Sequence, residues 1–395
     1  MFRTRYPTVH EKLCDFLNLL ILLFVVLMPI NPFLVKKLVA LMLLVWIFTV
    51  DYQRLVSLFL HNKIFQAVIA FILFITLSLF WSDDYSAGIE YLRFYYKYFL
   101  IVFLIVATSL KRQYIQPAIS LFLATMFLNE LMSYAIFFEL TDNFFGFAVH
   151  GDTFNPMPYQ EHHIVYSTLV AFTIFLLIYQ FAHTDHKYLK PLFLIFAITM
   201  TANLFLSTGR TGQVAFLFTA LMMALIYFRS NYKLILGALS AVMITFALAY
   251  HFSDTFNTRV HRAVNDTSKA LTKKRYLSSW GNRLFAYKVV PDILDDSSIL
   301  LGTGVGDLGT MVHKHYILNG WPEKHASIFG IGLLHNTFLS LLAATGLIGF
   351  SLFCYLLYLL FRQRFADPYV GYIRYTLLGE EVGETAKREE LGTER

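Results

Sequence analysis

The sequence predicts an all-α, polytopic membrane protein, because both its composition and the arrangement of its apolar residues fit a lipid solvent. Of the 395 residues, 57% are hydrophobic and only 15% are charged, and the mean hydropathy is +0.57. The apolar residues stand in long runs, without the helical or alternating periods of a water-facing fold. A soluble globule is therefore excluded, and we expect a transmembrane helical bundle with one large extracytoplasmic loop subdomain.

The apolar runs predict the individual spans, since about 20 apolar residues are needed to cross about 30 Å of hydrocarbon. They divide the chain into a bundle of about nine helices over 1–252, a loop subdomain over 253–333, a last span over 334–361 and a polar tail over 362–395. Within the loop subdomain, a helix is expected around residues 280–290. The predicted spans are residues 13–30, 36–50, 64–81, 94–110, 115–138, 164–182, 190–207, 212–228, 233–252 and 334–361.

Orientation follows from the basic residues in the short connectors. Most of them, such as Lys111, Arg112, Lys187 and Lys190, fall on the side that also holds the N-terminus. Lys and Arg accumulate on the cytoplasmic side, so the N-terminus and the polar tail are predicted to be cytoplasmic and the large loop extracytoplasmic. The net charge of +6 thus reflects topology, and no nucleic-acid partner is expected. The first apolar run is expected to remain as a span, since no signal cleavage site follows it.

Two groups of basic residues are candidates for binding an anion on the outward face. Arg210 lies in the segment Ser207-Thr208-Gly209-Arg210, between two predicted spans, where small neighbours would let a ligand approach the guanidinium. Arg283 follows Asn282 in the loop subdomain, with Arg275 upstream and Lys288 downstream. Arginine suits phosphate recognition, so Arg210 and Arg283 could clamp a diphosphate. The alternatives are an arginine at the membrane interface and a solvated basic surface.

A candidate general base stands where the large loop re-enters the membrane. A histidine such as His335 can take up a proton near neutral pH, and the adjacent Asn336 could orient its ring or bind a sugar. The alternative is a neutral histidine at a helix start. The glycine-rich segment 302–306 lacks the lysine of a phosphate-binding loop and predicts a tight turn. The pairs Asp83-Asp84 and Asp295-Asp296 are expected to cap helices, with a divalent cation as the alternative.

Three motifs in this order resemble the O-antigen ligase family, within a larger group that includes O-antigen polymerases and protein O-oligosaccharyltransferases. The first is Ser207-Thr208-Gly209-Arg210; the second is Asn282-Arg283-Leu284, followed by Pro291 and the glycine-rich turn. The third is His335-Asn336, followed nine residues later by Gly346-Leu347. The resemblance covers most of the chain in topology and residues 200–361 in motif. Family members usually carry two further spans after this point, which the predicted set lacks.

The resemblance implies an enzyme of the bacterial inner membrane with its active site facing the periplasm. It would transfer a glycan from undecaprenyl diphosphate to a sugar hydroxyl of lipid A-core, with inversion of the anomeric carbon. His335, Arg210 and Arg283 would be catalytic, and Arg210, Arg283, Lys288, Arg275 and Asn336 would bind substrate. No metal or other cofactor is expected, and the sequence makes no prediction of oligomeric state.

Three other functions stay open at this stage. An O-antigen polymerase and a protein O-oligosaccharyltransferase would share the donor half of the site, although polymerases tend to carry two sizeable outward loops. A transporter of lipid-linked glycans would show internal repeats and interrupted helices at mid-membrane. The sequence shows neither sign, so we expect uninterrupted spans.

Overall fold

The computed structural model describes residues 7–140, 143–144, 147–148, 156–158, 163–207, 209–227, 232–252, 254–273, 276, 278–320, 334 and 336–362. The all-α prediction is confirmed. In the described residues, β structure is limited to β1 (Asn143–Phe144) and β2 (Phe147–Ala148), which pair antiparallel between two long helices.

The helices coincide with the apolar runs, and short polar connectors separate them. Short 3-10 turns at Ser78–Trp81 and Arg112–Tyr114 and a π-helical segment at Tyr95–Ile101 join some of them. The α-helices are α1 (Pro7–Leu27), α2 (Pro32–Thr49), α3 (Tyr52–His61), α4 (Lys63–Leu77), α5 (Tyr85–Phe94), α6 (Val102–Ser109), α7 (Ile115–Phe137), α8 (His163–His183), α9 (Leu189–Leu206), α10 (Arg210–Tyr227), α11 (Tyr232–Phe252), α12 (Asp254–Lys273), α13 (Ser279–Asp296), α14 (Leu308–Leu318) and α15 (Thr337–Arg362).

Seven of the described helical segments are long and apolar enough to cross a membrane, so the chain is a multi-pass membrane protein. They are Pro32–Thr49, Lys63–Trp81, Tyr85–Ser109, Arg112–Phe137, Ile164–His183, Leu189–Leu206 and Thr337–Arg362. The three remaining predicted spans lie within α1, α10 and α11, which are helical but shorter in apolar length or, in α1, interrupted by charged residues.

One predicted boundary is wrong by about two turns. The span expected to begin at residue 94 begins at Tyr85, because the Asp84 carboxylate accepts a hydrogen bond from the Ala87 backbone N–H at 2.9 Å and caps the helix there. The helix expected around residues 280–290 is confirmed as α13, and its first turn is capped by Ser278.

The described helices group into two compact units. The first takes the residues up to Thr49 and Ser109–Arg259, and the second takes Val50–Thr108 and Val260–Leu360. The core of the first unit is built from α7, α8 and α9 and includes Met126, Val170 and Met200, all fully buried. The outer faces of these helices remain apolar and exposed, as contact with lipid requires.

The core of the second unit joins α13 and α14 to membrane-spanning helices. Phe285, Val289 and Ile293 of α13 form one fully buried face, which packs with α14, α4 and the first half of α15. The rings of Phe285 and Tyr316 meet edge to face with their centroids 4.7 Å apart. Buried apolar contacts therefore hold α13 and α14 in place within this unit.

Candidate active site

Arg210 is the first residue of α10, and the chain around it is held by buried hydrogen bonds. Gln213 donates from Nε2 to the carbonyl oxygens of Leu204 (3.1 Å) and Ser207 (3.0 Å), which ties the start of α10 to the end of α9. The Gly212 N–H donates to the Ser167 hydroxyl at 3.3 Å. These bonds hold Ser207 to the start of α10, and Arg210 is half-buried at the N-terminus of that helix, with its Nη1 atom fully buried.

Gly212 explains why a small residue follows Arg210. A Cβ atom at position 212 would lie 2.2 Å from the Ser167 carbonyl oxygen, so α10 approaches α8 more closely than any side chain would allow. The small residues near Arg210 were expected to admit a ligand. In the structure, Gly212 serves close helix packing instead, and this packing holds the Arg210 turn against α8.

Arg283 lies in the first half of α13 and is half-buried. The opposite side of α13 is the fully buried face of Phe285, Val289 and Ile293, so packing sets the rotation of the helix. Tyr287 follows Arg283 by one helical turn, which brings the two side chains to the same side of α13. Tyr287 exposes 61% of its surface and is available to a ligand.

Asn336 caps the last span and contacts the Arg283 helix. Its Oδ1 accepts hydrogen bonds from the backbone N–H groups of Phe338 (3.0 Å) and Leu339 (3.2 Å), which satisfies the first turn of α15. Its Nδ2 donates to the Tyr287 hydroxyl at 3.3 Å. Two of the three sequence motifs are thus brought together, and they meet through Tyr287, which was not among the predicted site residues. Its position four residues after Arg283 was the available signal.

Lys288, which follows Tyr287 on α13, is exposed, and its side chain contacts the end of α14. Its ammonium donates to Asn319 Oδ1 at 2.6 Å, at the end of α14, and lies 5.9 Å from the centre of the Phe285 ring. These contacts join α13 to α14. The predicted role of Lys288 in substrate binding remains a prediction, beside this structural role.

The glycine-rich segment is a turn, as predicted, and it closes against an interruption in α15. Gly346 has φ 60° and ψ −166°, so α15 is broken nine residues after its start. The amides of Thr303 and Gly304 donate to the carbonyls of Ala343 and Ala344, both at 2.9 Å. The amides of Leu347 and Ile348 donate to the carbonyls of Ile299 (2.9 Å) and Leu300 (3.2 Å). The expectation of uninterrupted spans is therefore wrong.

The backbone groups beside the break are hydrogen-bonded within the protein, so they are not open to a ligand. Backbone groups freed from a helix must find partners in a low-dielectric region, and here residues 299–304 supply them. A Cβ atom at Gly346 would lie 2.3 Å from the Leu300 carbonyl oxygen, and one at Gly302 would lie 2.6 Å from that of Ala343. Backbone hydrogen bonds thus join the turn at residues 299–304 to the interruption at Gly346, and we call these two segments together the glycine clamp.

The aspartate pairs form caps and ion pairs. The Asp307 carboxylate accepts hydrogen bonds from the backbone N–H groups of Asp83 (2.8 Å) and Asp84 (2.9 Å). Asp296 bonds to the Lys314 ammonium at 2.7 Å, which lowers the pKa of its carboxyl, with a smaller contribution from His315. A cavity of about 740 Å³ lies among these groups. In the described part of the chain, no three or more His, Cys, Asp or Glu side chains are grouped to hold a metal ion.

Two predicted site residues, His335 and Arg275, lie outside the described residues. Arg210 belongs to the first unit, and Arg283, Lys288 and Asn336 belong to the second. The diphosphate clamp of Arg210 with Arg283 therefore remains a prediction. Within the second unit, Tyr287 and Asn336 are hydrogen-bonded where α13 meets the start of α15, and Arg283 lies one turn before Tyr287 on α13.

These features define a multi-pass α-helical membrane protein with an arginine- and asparagine-bearing site beside its last span. Residues 195–354 match the model of the O-antigen ligase family, in agreement with the resemblance of the three motifs. The matched segment contains Arg210, Arg283, Asn336 and the glycine clamp. Comparisons with curated proteins and with solved structures give no match. The family supports an enzyme of ligase or polymerase type that uses a lipid-linked glycan donor.

Proposed function

We propose that this protein is an O-antigen ligase. It transfers O-antigen polysaccharide from undecaprenyl diphosphate to a sugar hydroxyl of lipid A-core, at the periplasmic face of the bacterial inner membrane. The observation that best supports the proposal is the hydrogen bond between Asn336 and Tyr287. It joins Asn336, the sequence neighbour of His335, to α13, the helix that carries Arg283.

The reaction is a single displacement at the anomeric carbon of the donor glycan. The acceptor oxygen forms a bond to that carbon while the bond to the diphosphate oxygen breaks. His335 accepts the proton of the acceptor hydroxyl, which contributes about 10²- to 10⁴-fold to the rate. The electron pair leaves with undecaprenyl diphosphate, so the anomeric configuration is inverted.

The leaving group gains negative charge as the bond breaks, and fixed cations stabilise that charge. Arg283 would bind the diphosphate from α13, and Arg210 from the N-terminus of α10, where the helix dipole adds to the positive potential. Tyr287 and Asn336 offer a hydroxyl and an amide for hydrogen bonds to a sugar. With two guanidinium groups on the diphosphate, the proposal needs no metal ion, so chelators should leave activity unchanged.

The interruption in α15 does not favour a transporter. Transporters place substrates at the exposed backbone of broken helices, whereas the backbone at Gly346 is bonded to the protein's own residues 299–304. Tyr287 and Asn336, which offer hydrogen bonds to a sugar, meet at the start of the last span.

The first test is a lipopolysaccharide gel profile of a deletion strain complemented with wild type, Arg283→Ala or His335→Ala. We expect wild type to restore core-linked O-antigen and both variants to lose it, with lipid-linked polymer accumulating. A core that carries a single repeat would identify a polymerase instead. An unchanged profile in the deletion strain would redirect the assignment to protein glycosylation or transport.

Matched control variants show whether O-antigen is lost because a particular side chain is missing, because positive charge is missing, or because the protein is not folded. Arg262 and His261 are exposed residues of α12 in the same unit, and their substitution by alanine should leave the profile unchanged. Membrane-fraction immunoblots should show equal amounts of all variants. Loss of O-antigen in Arg262→Ala would mean that general positive charge in this unit, not Arg283 itself, supports transfer.

A further inference from the structure

A cavity of about 440 Å³ lies between α7, α8 and α9 in the first unit. It is separate from the proposed reaction, because it lies at the start of α9, about 26 Å along the helix axis from the end that leads to Arg210. Leu123 and Phe196 of its inner wall are buried, whereas Phe127 and Leu192 at its mouth expose 40% and 50% of their surface. The cavity therefore opens sideways, between the helices.

The mouth of the cavity faces the region that lipid occupies. The three helices around it all belong to segments that are long and apolar enough to cross a membrane. The lining residues of α7 form one stripe at helical spacing, which runs from Gln116 through Ser120 and Ala124 to Phe127. From Gln116 to Phe127 the stripe rises about 16 Å, which is about half of the roughly 30 Å hydrocarbon thickness of a bilayer. The cavity thus extends through one leaflet, which is the depth that an acyl chain occupies.

The lining of the cavity changes from polar to apolar with depth. Four polar side chains line it where α7 and α9 begin and α8 ends, and the deeper lining includes Leu123, Phe127 and Phe196. Side-chain amides and hydroxyls can donate hydrogen bonds to phosphate oxygens, and apolar side chains accommodate an acyl chain. An amphipathic lipid satisfies both parts, whereas a water-soluble ligand would leave the apolar part unfilled. The four polar residues are Gln116, Gln180, Thr184 and His186.

Two lysines flank the polar end of the cavity. Lys187 directly follows the lining residue His186. Lys190 directly follows Leu189, which also lines the cavity, and its ammonium lies 5.4 Å from the centre of the Phe181 ring on α8. The segment from the end of α8 to the first turn of α9 contains these two lysines and one aspartate, so it carries a net positive charge. Positive charge beside hydrogen-bond donors favours an anionic lipid headgroup over a zwitterionic one.

We propose that this cavity binds one anionic phospholipid of the adjacent leaflet. One acyl chain lies along the α7 stripe, and the phosphate lies among the polar residues at the end of the cavity, beside Lys187 and Lys190. Both α7 and α9 begin at this end, so their helix dipoles add to the positive potential there. The binding goes beyond the proposed glycan transfer and does not depend on it.

Lipid binding to the full chain in nonionic detergent tests the proposal directly. Radiolabelled dipalmitoyl phosphatidylglycerol and dipalmitoyl phosphatidylcholine share their acyl chains, and their retention on immobilised protein gives the stoichiometry and the Kd. We expect one phosphatidylglycerol for each chain, with a Kd at least about tenfold lower than that of phosphatidylcholine. Raising NaCl from about 0.1 M to about 1 M shortens the Debye length from about 10 Å to about 3 Å and should reduce this preference to less than about threefold.

Two variants separate the headgroup from the acyl chain. Lys187→Gln combined with Lys190→Gln should raise the Kd of phosphatidylglycerol about 25-fold, at about fivefold for each lysine, and leave that of phosphatidylcholine unchanged. Ala124→Phe should raise the Kd of both lipids at least about tenfold, because the ring displaces two or more methylene groups that each contribute about fourfold. Both lysines are exposed, so the double variant is expected to fold and keeps the charge test valid even if Ala124→Phe is unstable.

Lys12→Gln and Ile198→Phe are the matched controls. Lys12 is an exposed lysine of α1 in the same unit, and the ion pair of Asp15 with Lys111 places the start of α1 at the same end of the bundle. Ile198 exposes 61% of its surface and lies two residues after Phe196, on the opposite face of α9 from the cavity. Both controls should bind each lipid within about twofold of wild type.

Three results would overturn the proposal. The first is equal affinity of wild type for the two lipids, and the second is a loss in Lys12→Gln or Ile198→Phe as large as in the corresponding cavity variant. The third is displacement of phosphatidylglycerol by undecaprenyl phosphate at a lower concentration than by unlabelled phosphatidylglycerol, because the cavity would then be a site for a polyprenyl carrier.

Discussion

Alanine at Gly346 should destabilise the second unit through two separable effects. The backbone at φ 60° and ψ −166° lies in a region that is almost restricted to glycine, which costs an alanine about 1–3 kcal/mol. The added Cβ would lie 2.3 Å from the Leu300 carbonyl oxygen and 2.6 Å from the Gly302 amide nitrogen. Both are backbone atoms, so relief of the overlap costs about 1–3 kcal/mol more. The expected loss of unfolding free energy is about 2–6 kcal/mol.

Two other glycines separate the two effects. Gly320 also has a positive φ, 80°, but nothing lies within 4 Å of the position that a Cβ atom would take, so Gly320→Ala carries the backbone strain alone. Gly237 carries neither strain nor overlap, and alanine there should be neutral or stabilising by up to about 1 kcal/mol. Unfolding in mixed detergent micelles, followed by tryptophan fluorescence, gives the relative free energies. If Gly346→Ala were no less stable than Gly320→Ala, the clamp between 299–304 and α15 would be refuted.

Three further predictions concern the caps and contacts around the site. Asn336→Ala should reduce the free energy of unfolding by about 1 kcal/mol, because the helix cap is lost, and should also lower the rate of glycan transfer. Thermal unfolding and product formation measure the two effects. Unchanged activity would show that the contact with Tyr287 has no part in the mechanism. Because Lys314 lowers the pKa of Asp296, their ion pair stabilises the fold at pH values above 3.8, the ordinary pKa of an aspartate, and this stabilisation is lost as the pH falls through the lowered pKa. Asp296→Asn should abolish this loss of stability at acid pH in a series of melting curves. A pH profile identical to that of wild type would contradict the prediction. Gly212→Ala should destabilise the packing of α10 on α8 by about 1–3 kcal/mol, and a wild-type melting curve would refute the close approach.

The candidate site residues could be chosen from residue order alone, because each motif is defined by residue types at a fixed spacing, and their roles remain predictions. The Ser207–Arg210 segment, Arg283 and Asn336 all lie in the segment that matches the family model. The sequence could not show that Asn336 contacts Tyr287, since 49 residues separate them along the chain. Nor could the sequence show that Gly302 and Gly346 lie in two segments that contact each other, because each glycine alone is consistent with an ordinary local turn.

Tertiary contacts override the local pattern in the last span and in α7. An apolar run such as 334–361 predicts one continuous span, yet α15 is broken at Gly346, because residues 299–304 replace its lost helical hydrogen bonds. In α7, the hydroxyl of Ser133 accepts a hydrogen bond from Asn203 of α9 at 2.6 Å. A single small polar residue within a long apolar run has no distinctive pattern, so the sequence could not reveal this contact.

The sequence by itself determined the solvent of this protein, its helical class and the residue types of its chemistry. A helix that crosses lipid needs about 20 consecutive apolar residues, so composition and run length suffice for that conclusion. The tertiary structure alone decided which distant groups meet: Asn336 with Tyr287, the glycine turn with the broken α15, and Gly212 with Ser167 of α8. These contacts depend on how buried faces pack and on where freed backbone groups find partners, and no local pattern in the chain encodes either.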